Sequence, residues 1–335
     1  MNYYELKWDK DAKEREIFIK NLAPIVLFTY KRLEHTKKTV EALQKNIYAA
    51  DSDLYIYSDA PKDSVAENDV KAVREYIHSV TGFKNITIIE REKNYGLAEN
   101  IIDGVTRAVN KYGKVIVVED DIVTSPYFLK FMNDALTVYQ YNEKVMAVSG
   151  FCETDDRKAA NGEVFFLPWF DCWGWATWKR SWQHFERNPQ KLYEYCTTHD
   201  MTLFNRYNSY PDAFGQVKKN YTGEIYTWAI FFYATILFHK GLVAYSFFDH
   251  AHNIGNDGTG ENCGDVDIYT RALADKAENK FPRTPMINEK MEKNIEQFFR
   301  NNITMPSLYM RVTRLYKRQG LRGIAKKVVE KIMNY

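Results

Sequence analysis

The chain has 335 residues, 45% of them hydrophobic, and 46 Lys and Arg against 44 Asp and Glu leave a net charge of +2. That length can bury a large core without disulfide staples, and the near-neutral balance argues against a nucleic-acid-binding surface. Four scattered cysteines (Cys152, Cys172, Cys196 and Cys263) contain no C-x-x-C pair, which disfavours a zinc site and suits reduced thiols.

The opening twenty residues are polar and charged and lack the apolar stretch of a signal peptide, so a cytoplasmic protein is expected. Residues 24–30 (PIVLFTY) read as a buried strand, and 36–46 as a helix with Val40 and Leu43 on one face. Strands follow at 53–58 and 85–90, and helices at 66–79 and 97–111. The run KVIVV at 114–118 is the most strand-like in the chain, and 145–149 resembles another. Strands alternating with helices predict an α/β fold with a mostly parallel sheet flanked by helices, whose ligands bind beyond the carboxyl ends of the strands. Those ends carry Thr29, Tyr30, Lys31 and Arg32, then Ser58 and Asp59, then Lys93 and Asn94, then Glu119, Asp120 and Asp121.

After residue 150 the alternation is lost. Trp169, Trp173, Trp175, Trp178 and Trp182 fall within fourteen residues. Trp175 and Trp178, three apart, read as one buried helix face, whereas Trp169 and Trp173 are the expected sugar-stacking rings. TWAIFFYATILF reads as a buried helix, and residues 253–264 as a Gly-rich loop able to close over a ligand. The expected divisions are an extension at 1–23, a regular ligand-binding half at 24–150, an irregular half at 151–285, and a helical tail at 286–335. In that tail the basic residues from Arg311 to Lys331 surround an apolar stripe of Leu321, Ile324, Val328 and Ile332. Such a helix either lies on an anionic membrane surface or packs on the domain with its basic face solvated.

The run VIVVEDDIV places three carboxylates directly after a buried strand. Crowded carboxylates are costly unless something positive joins them, and Mg2+ or Mn2+ shared with a diphosphate is the usual remedy. Asp121 is the expected metal ligand, with Glu119 and Asp120 directed to donor sugar or ribose. His252, beside the Gly-rich loop, is a candidate second ligand. A direct displacement also needs a base for the acceptor hydroxyl, and Asp171, Asp212 and Glu224 are the candidates.

The stretches PIVLFTYKRLEHTKKTVEAL, YIYSDAPK, GFKNITIIEREKNYGLAENIIDGV, GKVIVVEDDIVTSPYFLKFMNDAL, CWGWATWKRSW and NIGNDGTG, in this order, resemble bacterial glycosyltransferases of the GT-A fold. These are family-2-like sugar transferases, similar in plan to N-acetylglucosaminyltransferase I. The resemblance implies a D-x-D type metal motif, here in the form Glu119-Asp120-Asp121. It also implies a nucleotide pocket lined by Thr29 and Arg32, a base or ribose contact from Asp59, and Lys93 and Asn94 near the nucleotide. The implied partners are a UDP-sugar donor and a glycan or lipid-linked acceptor in surface polysaccharide synthesis, with inversion of configuration. The implied place is the cytoplasm, on the inner face of the plasma membrane if the tail binds lipid. The paired aspartates of the eukaryotic relatives are missing near Glu224, and Asn262 stands where a histidine is expected. A sugar nucleotidyltransferase, which needs a Gly-rich loop after the first strand, and a carbohydrate binder with a degenerate site are the alternatives.

Overall fold

The computed structural model describes residues 3–154, 158–160, 162–199, 204, 213–257, 271–276 and 280–301. The strands are β1 (Ile25–Thr29), β2 (Asp53–Ser58), β3 (Asn85–Glu90), β4 (Lys114–Glu119), β5 (Ile122–Thr124), β6 (Val145–Ser149), β7 (Phe165–Leu167), β8 (Trp175–Trp178), β9 (Leu242–Tyr245) and β10 (Ala251–Asn253). The helices are α1 (Ala12–Lys20), α2 (Leu33–Gln44), α3 (Glu67–Ile77), α4 (Gly96–Tyr112), α5 (Phe128–Val138), α6 (Lys179–Trp182), α7 (Pro189–Thr198), α8 (Ala213–Thr222), α9 (Ala229–Phe238) and α10 (Glu289–Phe299).

Eight strands form one sheet in the order β3-β2-β1-β4-β8-β6-β9-β7. Only β8 and β7 oppose the common direction. This is the mostly parallel α/β architecture that the alternating pattern predicted. β1 is buried at every position and β4 at its four central ones, as expected of strands covered on both faces. The sheet runs without interruption from the regular half into the irregular half, because β8 pairs with both β4 and β6.

The segment around Trp175 and Trp178 is therefore a strand and not the helix expected from their spacing. β8 enters the sheet centre, where the backbone bonds on both sides override a period drawn from two side chains. Both rings are buried, and Trp178 Nε1 donates to the Leu136 carbonyl at 3.0 Å.

Two contacts show how helices pack on the sheet and on each other. α4 ends at Gly113, whose left-handed φ of 77° closes the helix as a glycine C-cap. Its middle lies close on the sheet, since a Cβ at Gly104 would stand 2.7 Å from the Phe28 ring. The segment 3–23 packs on α5: Trp8 stacks on Phe18 at 4.6 Å and donates from Nε1 to Asp134 at 2.7 Å. Among the described residues no helix is long and apolar enough to cross a membrane. The tail from 302 onward, Asp212 and residues 258–270 lie outside the described residues.

Candidate active site

The carboxyl ends of β1, β2, β3, β4, β6 and β9 share one edge of the sheet. The start of β8 joins them there, with Trp175 opposite Val117 and Ser149. Across this edge runs a short antiparallel ribbon of β5 and β10, in which His252 faces Val123. Sequence reading missed this ribbon because each strand has only three residues. It brings the loop after residue 253 onto the acidic tip of β4: Ile254 N–H donates to the Asp121 carbonyl at 2.9 Å.

Asp120 and Asp121 are buried, at 6% and 5% exposure, and Glu119 is half-buried. One guanidinium answers them. Arg32 Nη2 donates to Asp120 and, at 2.7 Å, to Asp121 Oδ2. Gly255 lies directly over this pair, where a Cβ would stand 2.2 Å from Asp121 Oδ2 and 3.0 Å from Arg32 Nη1. Only a residue without a side chain lets the loop come so close. His35 on α2 ties the same loop down through Asp257 at 3.1 Å.

Burial and repulsion from Asp121 and Asp120 push the Glu119 carboxyl up to about 8. Burial outweighs the pull of Arg32 and raises Asp120 to about 6. Both shifts report a shortage of positive charge. With all three acids ionised, three carboxylates against one guanidinium leave an excess of two negative charges, the charge of one divalent cation. Hard carboxylate oxygens suit Mg2+ or Mn2+, so the donor set fits the ion that the motif implies. Among the described residues no group of three or more His, Cys, Asp or Glu side chains is placed to enclose a metal. Such an ion would draw its remaining ligands from water and phosphate oxygens. Thr29 Oγ1 at the end of β1 and Arg32 Nη1 are among the polar atoms buried at this edge with no hydrogen-bond partner among the described residues. Unmet groups of this kind mark where a polar ligand would be satisfied.

Other expected site residues are placed differently. Asp59 is buried and accepts four hydrogen bonds: from Ala60 N at 2.9 Å, Tyr95 N at 2.8 Å, Gly96 N at 2.9 Å and Asn94 Nδ2 at 3.2 Å. A carboxylate offers about four acceptor positions, so none is left for a base or ribose. Asp59 caps α4 from a neighbouring loop, through the N–H groups of Tyr95 and Gly96. Asn94 is drawn into the same cap, since its amide also donates to the Ala60 carbonyl at 2.7 Å. Lys93 is exposed, with its ammonium 5.9 Å from the centre of the Tyr95 ring.

Trp169 is 4% exposed and packs edge-on against Tyr233 and Phe299, so its faces are not open to a sugar in this structure. Its indole N–H instead donates to Glu153 at 2.9 Å. Trp173 is half-buried, with its ring 4.6 Å from that of Phe151. Glu224 is exposed after α8 and accepts from Thr222 at 2.8 Å. Asp171 is half-buried just before β8, at the carboxyl edge, and accepts from Trp173 N at 2.8 Å.

Sequence reading also missed Arg91 and Glu153. Arg91 lies between the Tyr57 and Tyr95 rings at 4.8 and 4.3 Å and donates to Asn100 and Asp103, which stiffens the loop that Asp59 caps. Glu153 follows β6 in SGFCETDD, and the strand-end rule that singled out Glu119 would have found it.

No family model matches the chain, and no curated protein sequence matches it. Three solved structures share part of its fold. A mannosyltransferase from Pyrobaculum calidifontis, in complex with GDP-Man and Mn2+, is 15% identical over 52% of this chain and 49% of its own, with a TM-score of 0.33. S. aureus TarS is 10% identical over 70% of this chain and 37% of its own, with a TM-score of 0.38. A protein from Desulfovibrio desulfuricans G20 assigned as a nucleotide-diphospho-sugar transferase is 16% identical over 48% and 64%, with a TM-score of 0.30. The chain spans less than two thirds of each of these proteins. At such scores the likenesses carry no argument about activity.

Proposed function

We propose that the chain is a metal-dependent glycosyltransferase that moves a sugar from a nucleoside diphosphate, with uridine diphosphate as the carrier, to a glycan or lipid-linked acceptor. The observation that carries this reading is the acidic tip of β4. Glu119, Asp120 and Asp121 stand at the ligand-binding edge of an α/β sheet with Arg32 as their one bonded cation among the described residues.

Asp121 would hold the cation, Asp120 would keep Arg32 in place, and Glu119 would face the donor sugar. When bound, the dication neutralises charge on a departing diphosphate. Arg32 supports the same end, since its unpartnered Nη1 is a donor for a phosphate oxygen. Thr29 Oγ1 has a hydrogen bond to offer the nucleotide. The loop at Gly255, fastened by Ile254 N–H and His35, covers the tip and excludes water from it. Asp171 is the residue at this edge suited to take the acceptor's proton, which gives inversion by direct displacement. The resemblance supplies the wider setting of bacterial surface polysaccharide synthesis, with the basic segment 307–335 as a hold on the inner leaflet.

The test is a melting-temperature screen of nucleotide sugars with Mn2+ and with chelator, followed by an assay of donor hydrolysis. A ligand at a hundred times its Kd stabilises the fold by about 2.7 kcal/mol, a clear shift. The expected result is stabilisation by one nucleotide class that chelator removes, together with slow donor hydrolysis. Absence of any manganese-dependent shift across uridine, guanosine and other nucleoside diphosphate sugars rejects the reading.

A further inference from the structure

A cavity of about 340 Å³ lies on the ligand-binding edge of the sheet, and no residue of the acidic tip lines it. Its wall takes Thr154 from the segment after β6, and Phe247, Phe248 and Asp249 from the segment after β9. Residues 271–275 complete it. These segments are braced to one another. Arg271 donates to the Cys152 carbonyl at 2.6 Å and to the Thr154 carbonyl, and its Nε lies 3.6 Å from Asp249. Ala274 N–H donates to the Asp249 carbonyl at 2.7 Å, and His250 N–H donates to the Gly150 carbonyl at 2.9 Å. Three segments remote in sequence are thus fixed around one space, as in a preformed ligand site.

The lining fits an uncharged sugar. Phe247 and Phe248 are half-buried and meet edge to face at 5.1 Å. Aromatic rings of this kind suit the C–H face of a pyranose. Asp249 and Asp275 bring acceptors for hydroxyl groups, and Lys158 and Arg271 bring donors. Two acids and two bases among the described lining residues cancel, so the wall exerts no net pull on a phosphate or a uronate. The volume lies at the low end of small-molecule sites, roughly 300 to 1,000 Å³, and suits a sugar ring better than a nucleotide sugar. In the order β4-β8-β6-β9, the ends of β6 and β9 lie two and three strands from β4. At about 4.8 Å per strand the cavity is roughly 10 to 14 Å along the edge from the acidic tip, farther than one pyranose spans.

We propose that this cavity binds an uncharged pyranose of the acceptor glycan, set back from the hydroxyl that receives the new sugar. This rests on the transferase reading given above. The acceptor is then an oligosaccharide: its end reaches the tip of β4 while an inner ring is gripped beyond β6 and β9. Phe248 stacks on that ring, and Asp249 and Asp275 accept from its hydroxyl groups. No bond forms or breaks here. The site decides which glycan is taken and how far it enters, so that binding energy from a remote ring positions the reacting hydroxyl.

The test uses the full chain and saturation-transfer NMR, with the methyl pyranosides of glucose, galactose, mannose and N-acetylglucosamine as probes and methyl glucuronide as the charged comparison. Neither donor nor metal is needed. At least one neutral glycoside should bind, and Phe248→Ala should weaken it by about 10-fold. Asp275 is exposed, so Asp275→Ala keeps the question open to measurement if the first variant does not fold, and it should weaken binding by about 5-fold. Adding donor with Mg2+ should leave the glycoside signal in place. The proposal is overturned if wild type binds none of the neutral glycosides, if glucuronide binds best, if a folded variant binds as wild type does, or if donor displaces the glycoside. Glycoside binding in a protein without any manganese-dependent donor shift ends the transferase reading and leaves the sugar site standing. A donor shift without glycoside binding does the reverse.

Discussion

The ends of β2 and β4 sit on the same edge of one sheet, and both carry acidic residues, yet the two tips have opposite energetics. At β2, Asp59 is surrounded by donors that its fold supplies, and all four acceptor positions are filled. At β4, three carboxylates meet one bonded guanidinium, and two of them are lifted out of the ordinary carboxylate range. A satisfied buried carboxylate is part of the scaffold. An unsatisfied group of them is a place where something else is meant to bind.

This contrast is broken most directly at Asp121. Asp121→Ala should reduce transfer by on the order of 100-fold or more and remove the manganese-dependent melting shift, with the fold intact. Assays with and without chelator check it, and a variant that keeps manganese-dependent transfer moves the metal elsewhere. The corresponding change at the settled tip should act on stability instead. Asp59→Ala strands the N–H groups of Tyr95 and Gly96 and loses four hydrogen bonds, at a cost of about 4 kcal/mol. Urea unfolding measures that cost. If the variant stays stable and loses donor affinity, Asp59 is a ligand contact after all.

Asp134 sharpens the comparison with a carboxylate that has partners but little solvent. Trp8 Nε1 and Lys130 Nζ bond it at 2.7 and 2.9 Å, yet burial lifts it to about 6 from an ordinary 3.8. The folded state thus holds this proton more tightly than the unfolded state. Its contribution is most favourable below the unfolded value and declines as pH rises to about 6. The difference approaches 3 kcal/mol, on the order of 1.4 per unit. The stability of wild type relative to Asp134→Asn should therefore decline between pH 4 and 7, read from paired denaturation curves. A flat or rising difference contradicts the assignment. The smallest effect is one of packing alone. Gly104→Ala drives a methyl against the Phe28 ring and should destabilise by about 2 kcal/mol while leaving nucleotide affinity unchanged, which unfolding and binding curves together will show.

Much of the regular half was legible residue by residue. The strand read at 85–90 is Asn85–Glu90, and the one read at 53–58 is Asp53–Ser58, because alternating βα patterning and buried apolar runs are local signals. The irregular half was less legible. Trp175 and Trp178 share a spacing that suits a helix, and only the gap between β4 and β6 makes them a strand. The expected tail helix and much of the expected Gly-rich loop fall on residues outside those described.

By itself the sequence determined the alternating α/β plan and the position of three carboxylates at the end of a core strand, since both follow from neighbours along the chain. Tertiary structure decided which acids are spent and which are left over. Asp59 is answered by Asn94, Tyr95 and Gly96 from another loop, Asp121 by Arg32 from the end of β1, and Glu153 by Trp169 from the segment before β8. A carboxylate's role depends on the donors within a few ångströms of it, and in a fold that brings distant segments to one edge those donors are remote in sequence.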